Sequence, residues 1–157
     1  VNYVVTLDGK TLCGRAKPTP HQFGEAMVRA IAEGEIEQRE CPLDHYFAKG
    51  LYGRRIYCDA GTTVTTQRHK EQHFTFVLRG KGQIYNGEDV RHFEAPAFWI
   101  TESDTQRVVV CEEFTDWITV HANPDNLTDL DVLEPILAED TLSALKALAL
   151  DKMKRID

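Results

Sequence analysis

Through the middle of the chain, apolar and polar positions alternate in short runs, and glycine, proline, asparagine or aspartate ends most of them. That is the pattern of half-buried strands joined by tight turns. The runs are Leu51–Cys58, Phe74–Leu78, Gln83–Tyr85, Val90–Phe93, Phe98–Thr101, Arg107–Cys111 and Trp117–His121. Asn86-Gly87 is the strongest hairpin signal, because both residues tolerate the left-handed backbone that a two-residue turn demands. Val1–Thr6 and Thr11–Cys13, flanking Asp8-Gly9, predict a smaller leading hairpin. Strands of this length and spacing predict an antiparallel sandwich or barrel.

The period changes towards both ends. Thr19-Pro20 with Gln22 is a capping box with proline at the first helical position, and Phe23, Met27, Ala30 and Ile31 then share one face until Gly34. The spacing predicts a helix over Thr19–Glu33 covering the outside of a sheet. Leu130, Leu133, Ile136 and Leu137 form an apolar group around Pro135, and Asp140 caps a further helix running to Arg155. The whole chain, 1–157, is therefore expected to be one domain, with barrel strands over about 43–123 and helical segments over about 19–33 and 127–155.

A hydrophobic share of 42% with mixed charges fits a globular protein. The net charge of −7 offers no general attraction to phosphate backbones, so nucleic acid is not expected as a partner. No apolar run reaches membrane-spanning length and no leader pattern opens the chain, so no membrane contact and a cytoplasmic location are expected. Cys13, Cys41, Cys58 and Cys111 have neither paired nor zinc-finger spacing, which predicts free thiols in apolar surroundings. Arg54 and Arg55 are adjacent in one strand, so one guanidinium lies on each face and the inward one needs a partner.

Chemistry concentrates between Gly61 and Gly82, in GTTVTTQRHKEQHFTFVLRGKG. Gly61, Gln67, His69, His73 and Gly80 fall on the spacing of the first cupin motif, with Gln67 in the place of its first histidine and His73 in the place of its glutamate. The second motif, aligned on the turn before Val108-Val109-Val110, falls on Pro96, Glu102, Asp104, Arg107 and Cys111. Arg107 thereby occupies the place of the remaining metal-binding histidine, and a guanidinium has no lone pair to give a metal.

The chain thus resembles cupin-like jelly-roll proteins. His45-Tyr46-Phe47-Ala48-Lys49-Gly50-Leu51-Tyr52, His69-Lys70 with His73, Gln106-Arg107-Val108 and Trp117-Ile118-Thr119-Val120-His121 resemble, further, a group of small cupin-like proteins of bacteriophage and prophage genomes. The resemblance implies a mainly β fold, a single cupin-type antiparallel barrel with flanking N- and C-terminal helices, and a host cytoplasm if the chain is phage-encoded. In that group a further histidine often stands where this chain has Glu71, and glycine where it has Asp104. The resemblance also implies that Gln67, His69, His73 and Arg107 converge inside the barrel, with Glu71 and His121 at or near its rim.

Two function classes follow. One is a pocket protein with a degenerate metal site, binding a small anionic ligand through Arg107 or acting as an accessory or assembly factor. The other is a metal-dependent enzyme, an isomerase, lyase or oxygenase, whose divalent ion takes His69 and His73 with Gln67, Glu71 or His121 completing the set. The cation of Arg107 favours the first, and an internal ion pair with Glu71, Glu102 or Asp104 is the structural alternative. On a straight strand His69 and His73 stand ~13 Å apart, so the second needs a bend between them. Neutral imidazoles must bind the metal, so its affinity is expected to fall near the ordinary histidine value of ~6.5. Phe74, Phe76 and Leu78 on one face of a strand, opposite Thr75 and Val77, leave an outer apolar set that a homodimer would cover.

Overall fold

A computed structural model describes residues 17–155; the leading hairpin expected before Cys13 lies outside them, as does Cys13 itself. The elements in order are α1 (Pro20–Ala32), β1 (Leu43–Ala48), β2 (Leu51–Cys58), β3 (Thr63–Thr65), β4 (Arg68–His69), β5 (His73–Arg79), β6 (Lys81–Tyr85), β7 (Val90–Glu94), β8 (Ala97–Thr101), β9 (Val108–Cys111), β10 (Thr115–Ala122), α2 (Leu130–Leu137), β11 (Ala138–Glu139) and α3 (Ser143–Lys154). The Thr19–Gln22 capping box forms in both directions, and Gly34 leaves the helix with positive φ. Between β6 and β7, Asn86 accepts backbone N–H bonds from Glu88 and Asp89, and Gly87 takes φ 104°. The hairpin is where the dipeptide puts it, with a loop of Asn86 to Asp89 rather than two residues.

One antiparallel sheet has the order β1-β2-β10-β5-β8, and a second has the order β3-β9-β6-β7. From β2 onwards the chain passes back and forth between these two sheets, which is jelly-roll winding. Among the described residues no ladder joins the two sheets into a closed ring, so the expected barrel is a two-sheet sandwich. The short pair β4–β11 forms a third patch that ties the C-terminal segment to the site strand.

Strand register lays the interior out in rungs. Leu43, Ile56, Trp117, Val77 and Ala97 stand opposite one another across the five-stranded sheet, and Trp117, Val77, Ile84, Phe93 and Val109 form the apolar core beside them. Two residues further along each strand come His45, Arg54, Thr119, Thr75 and Trp99. The next rung holds Phe47, Tyr52, His121 and, across β5 and β8, His73 and Thr101. The interior therefore grades from apolar at one end to polar at the other. Arg54 is the inward arginine; Arg55 lies outside, where it makes a bidentate pair with Asp116 at 2.8 and 2.6 Å.

Helix α1 covers the four-stranded sheet, with Phe23 packed on Tyr85 and Val108. Its contact face runs through Phe23, Gly24 and Val28 rather than through Ala30 and Ile31. At Gly24 the neighbour is so close that a Cβ would stand 2.6 Å from Leu142 Cδ1. Gly82 is tighter still, since its Cβ would lie 2.0 Å from the Val110 carbonyl oxygen on the adjacent strand. Gly82→Ala is expected to cost about 3 kcal/mol of stability or more, read by urea denaturation, because the obstructing atom is backbone and cannot swing aside.

Candidate functional site

Strand pairing lapses over Lys70-Glu71-Gln72, between β4 and β5, where the chain bends at Glu71, and this break answers the distance objection of the straight strand. The rings of His69 and His73 stand 4.4 Å apart, centre to centre. His121 lies 4.4 Å from His73 and 5.7 Å from His69, so three rings surround one point. Their ligand atoms all fall within 4.8 Å of one another. His121 is buried within the group rather than placed at the rim. The pairing of Val120 with Phe74, continued by one residue, sets it opposite His73.

Hydrogen bonds engage one nitrogen of two of the rings. The Thr119 hydroxyl lies 2.8 Å from His121 Nε2, which leaves Nδ1 as the nitrogen not spent on that neighbour. At His73, Nδ1 donates to the Glu71 carbonyl at 3.3 Å, leaving Nε2 as the acceptor. His73 Nε2 is buried and has no partner, and neither has His69 Nδ1. Orphaned acceptors in a dry interior are costly unless something binds them. Burial is the main cause holding all three rings well below the ordinary histidine value, at about 3 for His69, 4 for His73 and 3 for His121. The rings are neutral at neutral pH, as metal ligation requires, and proton competition sets in well below 6.5.

Arg107 is buried on the inner face of the second sheet, just before β9, and its charge helps depress both His69 and His73. Desolvation lowers its own value to about 10, which leaves it cationic. Its Nε has no partner, and among the described residues no carboxylate lies within ion-pair distance of it. The acids considered as its partners are engaged elsewhere: Asp104 pairs with Arg68, and Glu102 takes a hydrogen bond from Gln72. Glu71 is exposed and turns its backbone, not its carboxylate, to His73.

Gln67 lines a cleft with Lys70, Leu130, Glu134, Pro135 and Ala138, beside the C-terminal segment. That segment is pinned by β11 on β4, with Ala138 opposite His69, and by Lys70, which donates to the carbonyls of Leu137 and Pro135. Tyr52 was not singled out by the sequence, yet it belongs to the site. It is 1% exposed, stacks on His121 and accepts or donates at 2.7 Å with His45 Nδ1. Burial pushes its phenol up to about 12, so it remains a neutral hydrogen-bonding group. A cleft of about 470 Å³ is lined by Arg91, Trp99, Gln106 and Arg107 together with Glu88, Asp89, Glu102 and Asp104; Thr101, the strand partner of His73, lines it too, and the three imidazoles do not.

No family model matches the chain, and neither does any curated protein. Among solved structures it is similar to a salicylate 1,2-dioxygenase from Pseudaminobacter salicylatoxidans, at 13% identity and TM-score 0.51, over 69% of this chain and 33% of that one. It also matches a double-stranded β-helix protein from Klebsiella pneumoniae (15% identity, TM-score 0.49, 69% of this chain and 95% of that one). A cupin superfamily protein from Desulfitobacterium hafniense is similar at 10% identity and TM-score 0.45, over 57% and 84%. The winding of the two sheets and the first of these likenesses show a shared jelly-roll fold, and likeness at this identity says nothing of activity.

In metal-free protein the three rings bind protons more readily unfolded than folded. Their contribution is therefore whole above pH ~6.5 and is lost as pH falls towards 4. The urea midpoint should drop between pH 7 and pH 5, and more shallowly in His73→Asn; equal slopes in the two proteins would contradict the buried, neutral cluster.

Proposed function

We propose that the cluster of His69, His73 and His121 binds one divalent transition metal and that Arg107 holds a small anionic ligand beside it. The observation that carries this reading is the convergence of the three imidazoles: one ligand nitrogen from each lies within 4.8 Å of the others, and two of the rings hold a nitrogen in a hydrogen bond to a neighbour. Outer partners that orient a ring in this way are the usual support of histidine metal sites. Three neutral nitrogen donors suit zinc, iron, nickel or copper, and leave coordination positions for a ligand.

Charge explains why the two ligands belong together. The imidazoles bring no negative charge, and Arg107 adds a positive one in a dry interior, so a divalent ion alone would be repelled. An anion neutralises both. Metal and anion should therefore bind cooperatively, each raising the affinity of the other by the same factor. When bound, the metal supplies Lewis acidity. The chain itself orients the rings through Thr119 and the Glu71 carbonyl, offers a neutral Tyr52 hydroxyl, and clamps the anion with a guanidinium fork. This is a binding site suited to chemistry on a small molecule, and catalysis by it is the second reading, favoured by the open coordination positions. Service as an accessory or assembly factor of a phage is compatible with the same pocket.

Elemental analysis with calorimetry tests the proposal. Wild type should take one metal per chain, and His121→Ala should lose it. A simple carboxylate such as acetate should tighten metal binding by ~10-fold, a gain that Arg107→Met abolishes. Metal retained in full by His121→Ala, or tightened equally in Arg107→Met, would refute the arrangement.

We also propose that a second copy of the chain covers the outer face of the five-stranded sheet. Phe74, Phe76, Phe98 and Ile100 form a stacked apolar patch there, and Phe98 is 69% exposed. Patches of this kind mark association surfaces. Light scattering should give a dimer mass at micromolar concentration and a monomer for Phe98→Glu; a wild-type monomer would rule the dimer out.

A further inference from the structure

At the end of the interior opposite the imidazoles, three thiols that the sequence scatters come together. The register of the β1–β2 hairpin pairs Leu43 with Ile56, and Tyr57 donates its N–H to the Pro42 carbonyl at 3.1 Å. Continued by one residue, the ladder sets Cys41 opposite Cys58. Pairs in an antiparallel ladder alternate between hydrogen-bonded and non-hydrogen-bonded, so 42–57 being bonded makes 41–58 a non-hydrogen-bonded pair. At such pairs the Cα atoms approach to ~4.5 Å, within the range a disulfide spans. The Sγ atoms are already 3.2 Å apart. Cys111, on β9, packs against Cys58 in the apolar core and is 1% exposed.

The two members of the pair differ in access. Cys41 is half-buried and lines a groove of about 540 Å³ together with Arg39, Arg54 and Ile56. Cys58 is buried behind it. We propose that Cys41 and Cys58 form a peroxide-sensitive dithiol that closes to a reversible disulfide, Cys41 being the attacked thiol and Cys58 the one that resolves it.

A hydrogen bond from Cys58, with help from the charge of Arg54, lowers the Cys41 thiol to about 7, so a large fraction is thiolate at neutral pH. The two flanking thiols, Cys111 and Cys41, and then burial push Cys58 up, which keeps it protonated until it is needed. The Cys41 thiolate attacks one oxygen of a hydroperoxide. The S–O bond forms, the O–O bond breaks, and the leaving hydroxide or alkoxide takes a proton from solvent. Cys58 sulfur then attacks the sulfenic sulfur of Cys41, the S–S bond forms and the S–O bond breaks. The hydroxide released takes the Cys58 proton and leaves as water. Two thiols lose two electrons and one peroxide is reduced. The geometry needs no movement of β2, which also carries Tyr52 and Arg54 into the imidazole end.

The test uses metal-free Cys13→Ser protein, so that only the three thiols react, with hydrogen peroxide as the probe. Mass spectrometry of the intact chain should show loss of two hydrogens, a Cys41–Cys58 linked peptide, and full reversal by dithiothreitol. Cys41→Ser in the same background should consume peroxide at least ~10-fold more slowly. Cys111→Ser should still form the linked peptide, which separates the pair from its neighbour, and circular dichroism on both variants checks that they are folded. Oxidation of Cys41 to sulfinic or sulfonic acid with Cys58 left reduced would overturn the proposal, as would a Cys58–Cys111 link as the main product.

Discussion

Two guanidiniums, Arg54 and Arg107, and three imidazoles share the polar end of a jelly-roll interior, and among the described residues no carboxylate forms an ion pair with either arginine; much else in the structure is arranged around that fact. A cation that far from water is tolerated only with a partner. Within the described chain the acids near Arg107 are committed to Arg68 and Gln72. The rings respond by staying neutral, and two of them hold a nitrogen in a hydrogen bond to a neighbour. What is missing is negative charge and an electrophile, which is why metal and anion enter the account as a pair.

The fold supplies the precision that such a site needs. Register across β2, β10, β5 and β8 fixes Tyr52, His121, His73 and Thr101 on one rung, and the apolar rungs below hold those strands against the second sheet. His69 arrives differently, from a two-residue strand held by β11 and by its bridge to Thr105. The C-terminal segment is thus part of the site's support. Anything that loosened α2 and β11 would move His69 before it moved the other two rings.

Much of this was legible in the sequence, for reasons that differ by element. The α1 capping box and the Asn86-Gly87 turn are local, so side-chain chemistry alone decides them. The glycine–histidine spacing found His69 and His73, because turn positions and strand lengths are conserved by geometry once the winding is jelly-roll. It also found Arg107, whose inward direction follows from the parity of Val109 and Cys111 on β9. The cleft that Gln67 lines with the C-terminal segment was not legible, because β4 pairs with a strand 69 residues later in the numbering, Ala138 against His69, a contact no local pattern carries. His121 was assigned to the rim, yet the parity of Trp117, Thr119 and His121 on one strand would have set it inside with the core tryptophan. The thiol pair was hidden for another reason: Cys41 and Cys58 become neighbours only when the hairpin register through Gly50 is known.

The central claim is that three imidazoles share one ion. Crystals grown with zinc and examined by anomalous scattering at the metal edge test it without reference to any activity. The account predicts a single strong peak in contact with His69, His73 and His121, and electron density for an anion between that peak and Arg107. A peak held by surface carboxylates alone, with the three rings left as they are, would contradict it.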